Sequence, residues 1–129
     1  MSKSLLVDTD ILIDVAREEI TAINRLRLEE SKSNLQISSI TKMELIVGCA
    51  NKRELNILSK FLKRYEILSL SEEISEKAIK LLSNYRLSHG LLIPDSIIAA
   101  TAITLKVPFL SKNQKDYRFI KELELLSYP

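Results

Sequence analysis

The 129-residue chain has few of the residues on which several common kinds of functional site depend. It has two glycines, Gly48 and Gly90, whereas phosphate-binding loops need several glycines so that backbone amides can approach the ligand. Its one cysteine, Cys49, cannot form an internal disulfide, and its one histidine, His89, leaves no ligand set for structural zinc. The sequence therefore excludes Walker A and Rossmann motifs and narrows metal binding to oxygen ligands.

Long hydrophobic runs are also missing. No apolar segment approaches the ~18–20 residues that span a bilayer, and the N-terminal MSKSLLVDTD reaches two acids too early for a signal peptide. We therefore expect a cytoplasmic protein without a membrane partner. A length of 129 residues with 46% hydrophobic residues predicts a single domain over residues 1–129, while a formal net charge of +2 neither favours nor excludes a polyanionic partner.

Short apolar runs alternate with longer segments of helical spacing. The sequence predicts strands at 5–7, 35–37, 66–70 and 109–110, with a possible closing strand at 125–128. It predicts helices at 10–16, 21–30, 39–50, 53–65, 72–89, 97–105 and 117–123. Strands that alternate with helices indicate an α/β fold, here a parallel central sheet of four to five strands flanked by helices. The apolar segment 97–105 is expected at the centre of the fold.

Acidic residues follow the predicted strands or begin the helices after them. They are Asp8 after the first strand, Glu44 in the first turn of helix 39–50, Asp95 beside Pro94, and Asp116 after the fourth strand. Each has an alternative explanation as a helix cap, and Thr41 with Glu44 matches a capping box. In a parallel sheet, however, these positions share one edge. Together the acids would form a set of oxygen ligands suited to Mg²⁺ or Mn²⁺.

The sequence Asp8-Thr9-Asp10 strengthens the metal hypothesis, because two carboxylates so close together repel each other unless a cation is present. Asp14 lies on the same helix face as Asp10 and is expected to be solvated or paired with a base such as Arg17 or a lysine. Ser111 and Asn113 could orient a ligand near Asp116. Lys112, Lys115 and Arg118 flank the same acid and could hold substrate phosphates, although a solvated basic surface is the alternative.

Four segments in this order resemble the motifs of a PIN domain, the small nuclease fold that includes VapC-type toxins. They read LLVDTDILID, SSITKMELIVG, LLIPDSIIAATAI and FLSKNQKDYRFI. The third, an acid that leads into Ile-Ile-Ala-Ala-Thr-Ala, is the most specific. In the family the last motif often reads Thr-x-Asn-x-x-Asp-Phe, whereas this chain has Ser111, Asn113, Asp116 and Tyr117 at those positions.

The resemblance implies a fold, a reaction and roles for single residues. It implies a PIN-like α/β/α fold and hydrolysis of RNA phosphodiesters with Mg²⁺ or Mn²⁺. Asp8, Glu44, Asp95 and Asp116 would be the catalytic, metal-binding acids. Supporting residues would be Thr9, Asp10, Ser111 and Asn113. The resemblance also implies an RNA substrate, a cognate antitoxin whose segment covers the active site, and a homodimer.

Three other interpretations stay open at this point. Asp8-Thr9-Asp10 after a strand is also similar to the start of a haloacid-dehalogenase-type phosphatase, in which Asp8 would be the nucleophile and Asp10 the general acid. A receiver-like signalling module fits the length, but residues 41–64 contain no Asp to accept a phosphoryl group. A non-catalytic PIN-like binding module is the third.

Overall fold

The computed structural model describes residues 3–129. Strands and helices alternate along this range, as the sequence predicted. In chain order the elements are β1 (Lys3–Val7), α1 (Thr9–Ala16), α2 (Ile20–Glu30), β2 (Ser33–Ser38), α3 (Ser39–Val47), α4 (Lys52–Leu62), β3 (Glu66–Leu68), α5 (Glu72–His89), α6 (Ile93–Leu105), β4 (Phe109–Leu110) and a 3₁₀ turn (Gln114–Asp116).

The four strands form one parallel sheet in the order β3-β2-β1-β4. Leu5 of β1 pairs with Leu35 of β2, and Val7 pairs with Leu110 of β4. Parallel strands that follow one another in the chain need crossover connections over a face of the sheet, and the intervening helices provide them. The parallel α/β fold expected from the sequence is therefore confirmed, with four strands.

Neighbouring residues of β1 face two separate cores because side chains alternate along a strand. Leu6 packs with residues of α5 and α6, among them Leu81 and Ile98. Leu5 and Val7 pack on the other face with residues of α1, α2 and α4. Helices therefore cover both faces of the sheet, as predicted.

The α6 helix has six buried residues, more than any other helix within residues 3–129, and this packing fixes the position of its N-terminus. Small residues let it pack closely against α5 and the sheet: Ser96, Ala99, Ala100, Thr101 and Ala102 are all 0–1% exposed. The prediction of a central helix at 97–105 is confirmed, and the observed helix begins earlier, at Ile93. Pro94 stands in its first turn, where a missing backbone N–H costs nothing.

The predicted helix at 117–123 is wrong. Successive turns replace it, with backbone bonds from Ile120 to Tyr117 and from Leu123 to Ile120. Each turn advances three residues, so residues 117, 120 and 123 all point inward, and this spacing imitates that of a helix. The predicted closing strand at 125–128 is also wrong, because this segment makes only a single parallel bridge between Leu125 and Phe109.

Several predicted boundaries and faces shift by a few residues. Helix 39–50 ends at Val47, helix 53–65 spans Lys52–Leu62, and strand 66–70 stops at Leu68. The apolar spacing of helices 21–30 and 72–89 would also place Leu28 and Ile79 in the core, but these side chains are 56% and 63% exposed. In α2 the inward positions are taken by Ala22, Leu26 and Glu29 instead. Within residues 3–129 no helix is both long enough and apolar enough to cross a membrane.

Candidate active site

Asp8 directly follows β1 and lies at the edge of the sheet where this strand ends. Its carboxylate caps α1 by accepting a hydrogen bond from the Thr9 backbone N–H at 2.8 Å. The explanation of Asp8 as a helix cap is therefore confirmed. The Asp8 backbone N–H donates to the Leu110 carbonyl at 2.9 Å, which ties this position to β4. Asp8 is only 5% exposed. A buried carboxylate has to find further partners beyond one cap.

Ser111, which follows β4, connects Asp8 with Asp10. Its hydroxyl donates to Asp8 Oδ2 at 2.8 Å and lies 3.3 Å from Asp10 Oδ2. The Asn113 backbone N–H donates to Asp10 Oδ2 at 3.0 Å. The structure thus places Ser111 and Asn113 at the predicted acids, although Asn113 contributes here through its backbone.

Glu44 reaches the same edge from α3, but not from the predicted first turn. The N-cap of α3 is Ser38, whose side chain accepts from Ile40 N–H, so Glu44 lies in the second turn and the Thr41–Glu44 capping box does not form. Instead Thr9 donates its hydroxyl proton to Glu44 Oε1 at 2.6 Å, and the Thr41 hydroxyl lies 3.0 Å from that of Thr9. Thr9, which also contacts Thr41, therefore ties Glu44 to the start of α1.

Asp95, in the first turn of α6, completes the convergence. Burial raises the pKa of Asp95, and the negative charges of Asp116, Glu44 and Asp10 each raise it further. The charge of Asp95 in turn adds to burial and to the charge of Asp10 in raising the pKa of Asp8. Five acids from four separate segments therefore share one electrostatic environment. We call Asp8, Asp10, Glu44, Asp95 and Asp116 the acid cluster. Asp116 belongs to it as the last residue of the 3₁₀ turn rather than as the cap of a helix.

Burial is the main reason why Asp8, Asp10 and Asp95 resist ionisation. Burial, followed by the charge of Asp10, raises the pKa of Asp8 to about 8, against the opposing hydrogen bonds from Ser111 and Thr9. Burial likewise raises the pKa of Asp10, and it raises the pKa of Asp95 to about 6. Among residues 3–129, no cationic side chain contributes to the pKa shift of Asp8 or Asp95. Mutually repelling carboxylates without a basic partner fit a divalent cation with oxygen ligands.

In this conformation of residues 3–129, the acid side chains do not surround a position for a metal ion. Across the described part of the chain, no three Asp, Glu, His or Cys side chains stand close enough to hold a metal ion as they are. The fit therefore rests on the chemistry of the donor set and on its electrostatics.

Tyr117 is the site residue that the sequence reasoning missed. Its side chain is 1% exposed, and its hydroxyl has no hydrogen-bond partner among residues 3–129. The hydroxyl lies near Asp8 and Asp95, whose charges add to burial in raising the pKa of Tyr117. The sequence signal was present, because this position departs from the phenylalanine of the motif that it resembles.

The predicted phosphate-binding residues have different surroundings. Lys112 pairs with Asp14, with 3.0 Å between Nζ and Oδ2, so Asp14 has the basic partner that was expected, although not Arg17. Lys115 and Arg118 are exposed and form no ion pair with any residue in the range 3–129.

Comparison with known proteins agrees with this architecture. The family model described as the PIN domain matches residues 5–122. The chain belongs to the PIN-domain family. It is 34% identical over 126 residues to "Ribonuclease VapC1" of Methanocaldococcus jannaschii, a match that covers 96% of this chain and 86% of that protein. It is 31% identical to "Ribonuclease VapC" of Rickettsia bellii, with 97% and 96% covered.

Solved structures of PIN-domain relatives share the same fold over nearly the whole chain. VapBC2 from Rickettsia felis, bound to a DNA fragment from its promoter, superposes with a TM-score of 0.83 at 26% identity and covers 98% of this chain and 99% of that chain. A toxin–antitoxin complex from Klebsiella pneumoniae gives a TM-score of 0.77 at 30% identity, with 95% and 96% covered. The PIN-like fold predicted from the four motifs is confirmed.

Proposed function

We propose that this PIN domain is a ribonuclease that hydrolyses RNA phosphodiester bonds with Mg²⁺ or Mn²⁺, and that it is the toxin of a VapBC-type pair. The observation that carries the proposal is the acid cluster. Asp8 and Asp95 have raised pKa values and no cationic partner within residues 3–129, an arrangement that a bound divalent cation would stabilise. The names of the two curated relatives support the substrate class.

Each side chain at the sheet edge has a definable task in this reaction. Asp8, Glu44, Asp95 and Asp116 would hold the cation, which when bound supplies charge to the phosphate and activates water. Ser111 keeps Asp8 and Asp10 oriented towards each other. Thr9 fixes the rotamer of Glu44. Pre-orientation of this kind reduces the reorganisation that catalysis requires.

Histidine is not needed for the proposed reaction. His89 lies at the C-terminal end of α5 and stacks on Phe119, with ring centroids 4.2 Å apart. Lys115 and Arg118 stay the proposed contacts for substrate phosphates because their charges are free within residues 3–129. Lys112 would have to leave Asp14 to join them.

Cleavage of a labelled single-stranded RNA tests the proposal directly. We expect cleavage with Mg²⁺ or Mn²⁺, none with EDTA, and a loss of at least about 100-fold in rate for Asp8→Asn and Asp95→Asn, in line with the loss of groups that stabilise transition-state charge. Asp14→Asn is the matched control outside the acid cluster and should retain activity. Wild-type rates in both cluster variants would refute the proposed site.

An antitoxin is the proposed protein partner. The relatives of known structure include toxin–antitoxin complexes. An apolar groove of about 620 Å³ lies beside Glu44, between α1, α3 and α4, and exposes Ile13 and Ile57. We propose that a segment of the antitoxin lies in this groove and covers the acid cluster. Ile57→Lys should abolish inhibition by the purified antitoxin and leave RNA cleavage unchanged, whereas Leu28→Lys on α2 should affect neither.

We further propose that the protein is a homodimer of single PIN domains spanning residues 1–129. Exposed apolar side chains on α5 and at the start of α6, including Leu87 at 100% exposure and Ile93 at 65%, supply a surface for a second copy. Light scattering after size exclusion should give twice the 14.7 kDa chain mass, and Leu87→Glu should give the monomer.

The alternative functions are less well supported. Membership of the PIN family disfavours both a haloacid-dehalogenase-type phosphatase, with Asp8 as nucleophile and Asp10 as acid, and a receiver-like module. An aspartyl-phosphate trapped on Asp8 would support the phosphatase instead. A non-catalytic PIN-like binding module would show metal binding or partner binding without RNA cleavage.

A further inference from the structure

Tyr117 has a feature that the proposed reaction does not yet use. It follows the 3₁₀ turn, and its ring packs edge-on against Phe109 of β4, with centroids 4.8 Å apart. Both residues are at most 1% exposed. The ring therefore has a fixed place in the core, and its hydroxyl is held at one point instead of sampling several.

At that point the hydroxyl is a donor without an acceptor. It is buried and forms no hydrogen bond within residues 3–129, although it faces the carboxylates of Asp8 and Asp95. Buried polar groups are nearly always hydrogen-bonded, so an unpaired hydroxyl at a predicted reaction site requires an explanation.

Asp95 is the complementary group, an acceptor without a donor. Asp8 already accepts hydrogen bonds from Thr9 N–H and from the Ser111 hydroxyl. Within residues 3–129 no side chain forms a well-aligned hydrogen bond to the Asp95 carboxylate, but the Tyr117 hydroxyl is close enough for a hydrogen-bonding interaction that favours the ionised form of Asp95. A small rotation of Asp95 would therefore satisfy both residues at once.

We propose that Tyr117 is a positioning residue of the acid cluster, whose hydroxyl donates a hydrogen bond to Asp95 and orients this carboxylate towards a divalent cation bound with Asp8. This hydrogen bond would satisfy the buried hydroxyl and hold Asp95 in place for the cation. This inference rests on the proposed cation site, but it assigns a role to a residue that is not an acid and that departs from the phenylalanine of the resembled motif.

Calorimetric titration with Mn²⁺ tests the proposal on Tyr117→Phe. Loss of a group that orients a metal ligand typically lowers metal affinity 10- to 100-fold, so we expect at least roughly tenfold weaker binding. Tyr65→Phe is the matched control, because Tyr65 is also buried but lies in the other core, against Phe61. Its Mn²⁺ affinity should equal that of the wild type.

Two further measurements separate a positioning role from a purely structural one. In EDTA, Tyr117→Phe should melt at the same temperature as the wild type or higher, because it removes an unpaired buried hydroxyl. Addition of Mn²⁺ to the wild type should produce a near-ultraviolet tyrosine difference spectrum, because the phenol acquires an acceptor. That spectrum should be absent in Tyr117→Phe and present in Tyr65→Phe.

The possible failures are distinguishable. If the wild type binds no Mn²⁺, both the proposed metal site and the proposed role of Tyr117 are refuted. If the wild type binds Mn²⁺ and Tyr117→Phe binds it equally well, the metal site stands and the role of Tyr117 is refuted. A lower melting temperature of Tyr117→Phe in EDTA with unchanged Mn²⁺ affinity would also refute it, since the hydroxyl would then serve the fold.

Discussion

Replacing Asp8 with asparagine should stabilise the metal-free protein while it abolishes the proposed activity. Asp8 is 5% exposed and lies beside Asp10, and burial together with that charge raises its pKa to about 8 from an ordinary value of 3.8. Asparagine is uncharged and retains an oxygen that can accept the Thr9 N–H, so it stays a good N-cap. The substitution removes the repulsion and keeps the cap.

The magnitude follows from the two pKa values. Between pH 3.8 and about 8 the folded protein retains a proton that the unfolded chain has released, so the stability of the wild type falls as pH rises through this window. At about 1.4 kcal/mol per pH unit, the cost to the folded state reaches about 4 kcal/mol at pH 7. Because the Ser111 hydroxyl must reorient towards Asp10, we expect Asp8→Asn to recover about 2–4 kcal/mol, or roughly 10 °C in melting temperature.

Thermal and denaturant unfolding in EDTA at pH 5 and pH 8 would measure this difference. The advantage of Asp8→Asn should be larger at pH 8, because at pH 5 the folded wild type keeps Asp8 protonated and uncharged. Saturating Mg²⁺ should stabilise the wild type by mass action and leave Asp8→Asn unchanged.

Asp14→Asn makes the same chemical change on the same helix with the opposite expectation. Asp14 is as buried as Asp8, at 8% exposure, but it pairs with Lys112 at 3.0 Å. Its replacement should lower stability at both pH values. The reasoning about charge crowding would be refuted if Asp8→Asn were no more stable than wild type at pH 8, or if its advantage were equal at pH 5 and pH 8.

Three further substitutions test other parts of the site and fold. Ser111→Ala should lower the free energy of unfolding by about 1–2 kcal/mol in denaturant, because Asp8 loses a hydrogen-bond donor at 2.8 Å. Ser111→Thr keeps the hydroxyl and should be as stable as the wild type. Equal stability of the wild type and both variants would contradict this expectation. Thr9→Val should reduce kcat for RNA with little change in KM, because Glu44 loses its 2.6 Å bond, and an unchanged kcat would show that Glu44 needs no such support. Gly90→Ala should lower the free energy of unfolding by about 1 kcal/mol, because Gly90 has φ +70° although the space around its Cβ position is open. RNA cleavage should not change. An unchanged stability would mean that the backbone at the end of α5 relaxes.

The parts of the fold that the sequence predicted well are those in which one local pattern suffices. The apolar run at 5–7 followed by Asp8 predicts a buried strand that runs into a capped helix, and the structure has β1 followed by α1 with Asp8 as its N-cap. The nearly continuous apolar run at 97–105 predicts a helix buried on most sides, as α6 is. Parallel topology then brings the strand ends to one edge, so the convergence of the acids could be predicted without any contact information.

The failures occur where spacing has more than one structural solution. Buried residues at 117, 120 and 123 suit a helix, but two successive turns place the same residues inward. Glu44 three residues after Thr41 suits a capping box, but Ser38 caps the helix, and the two side chains meet through Thr9 instead. The competing solutions differ by tertiary packing, which periodicity alone does not encode.

Asp10 and Asp14 show where sequence reasoning reaches its limit at the site. They lie four residues apart on α1 and share a helix face; the sequence placed Asp10 in an acid pair and predicted a basic partner for Asp14, but it did not identify Lys112 as that partner. The loop after β4 separates them, because the Asn113 backbone and Ser111 reach Asp10 while the Lys112 side chain reaches Asp14. One acid stays in a cluster that a cation would stabilise, and the other is neutralised by lysine. The division of charge between site and scaffold therefore depends on the Lys112 side chain, since the backbone N–H of the same residue donates to Asp10 Oδ1 at 3.4 Å.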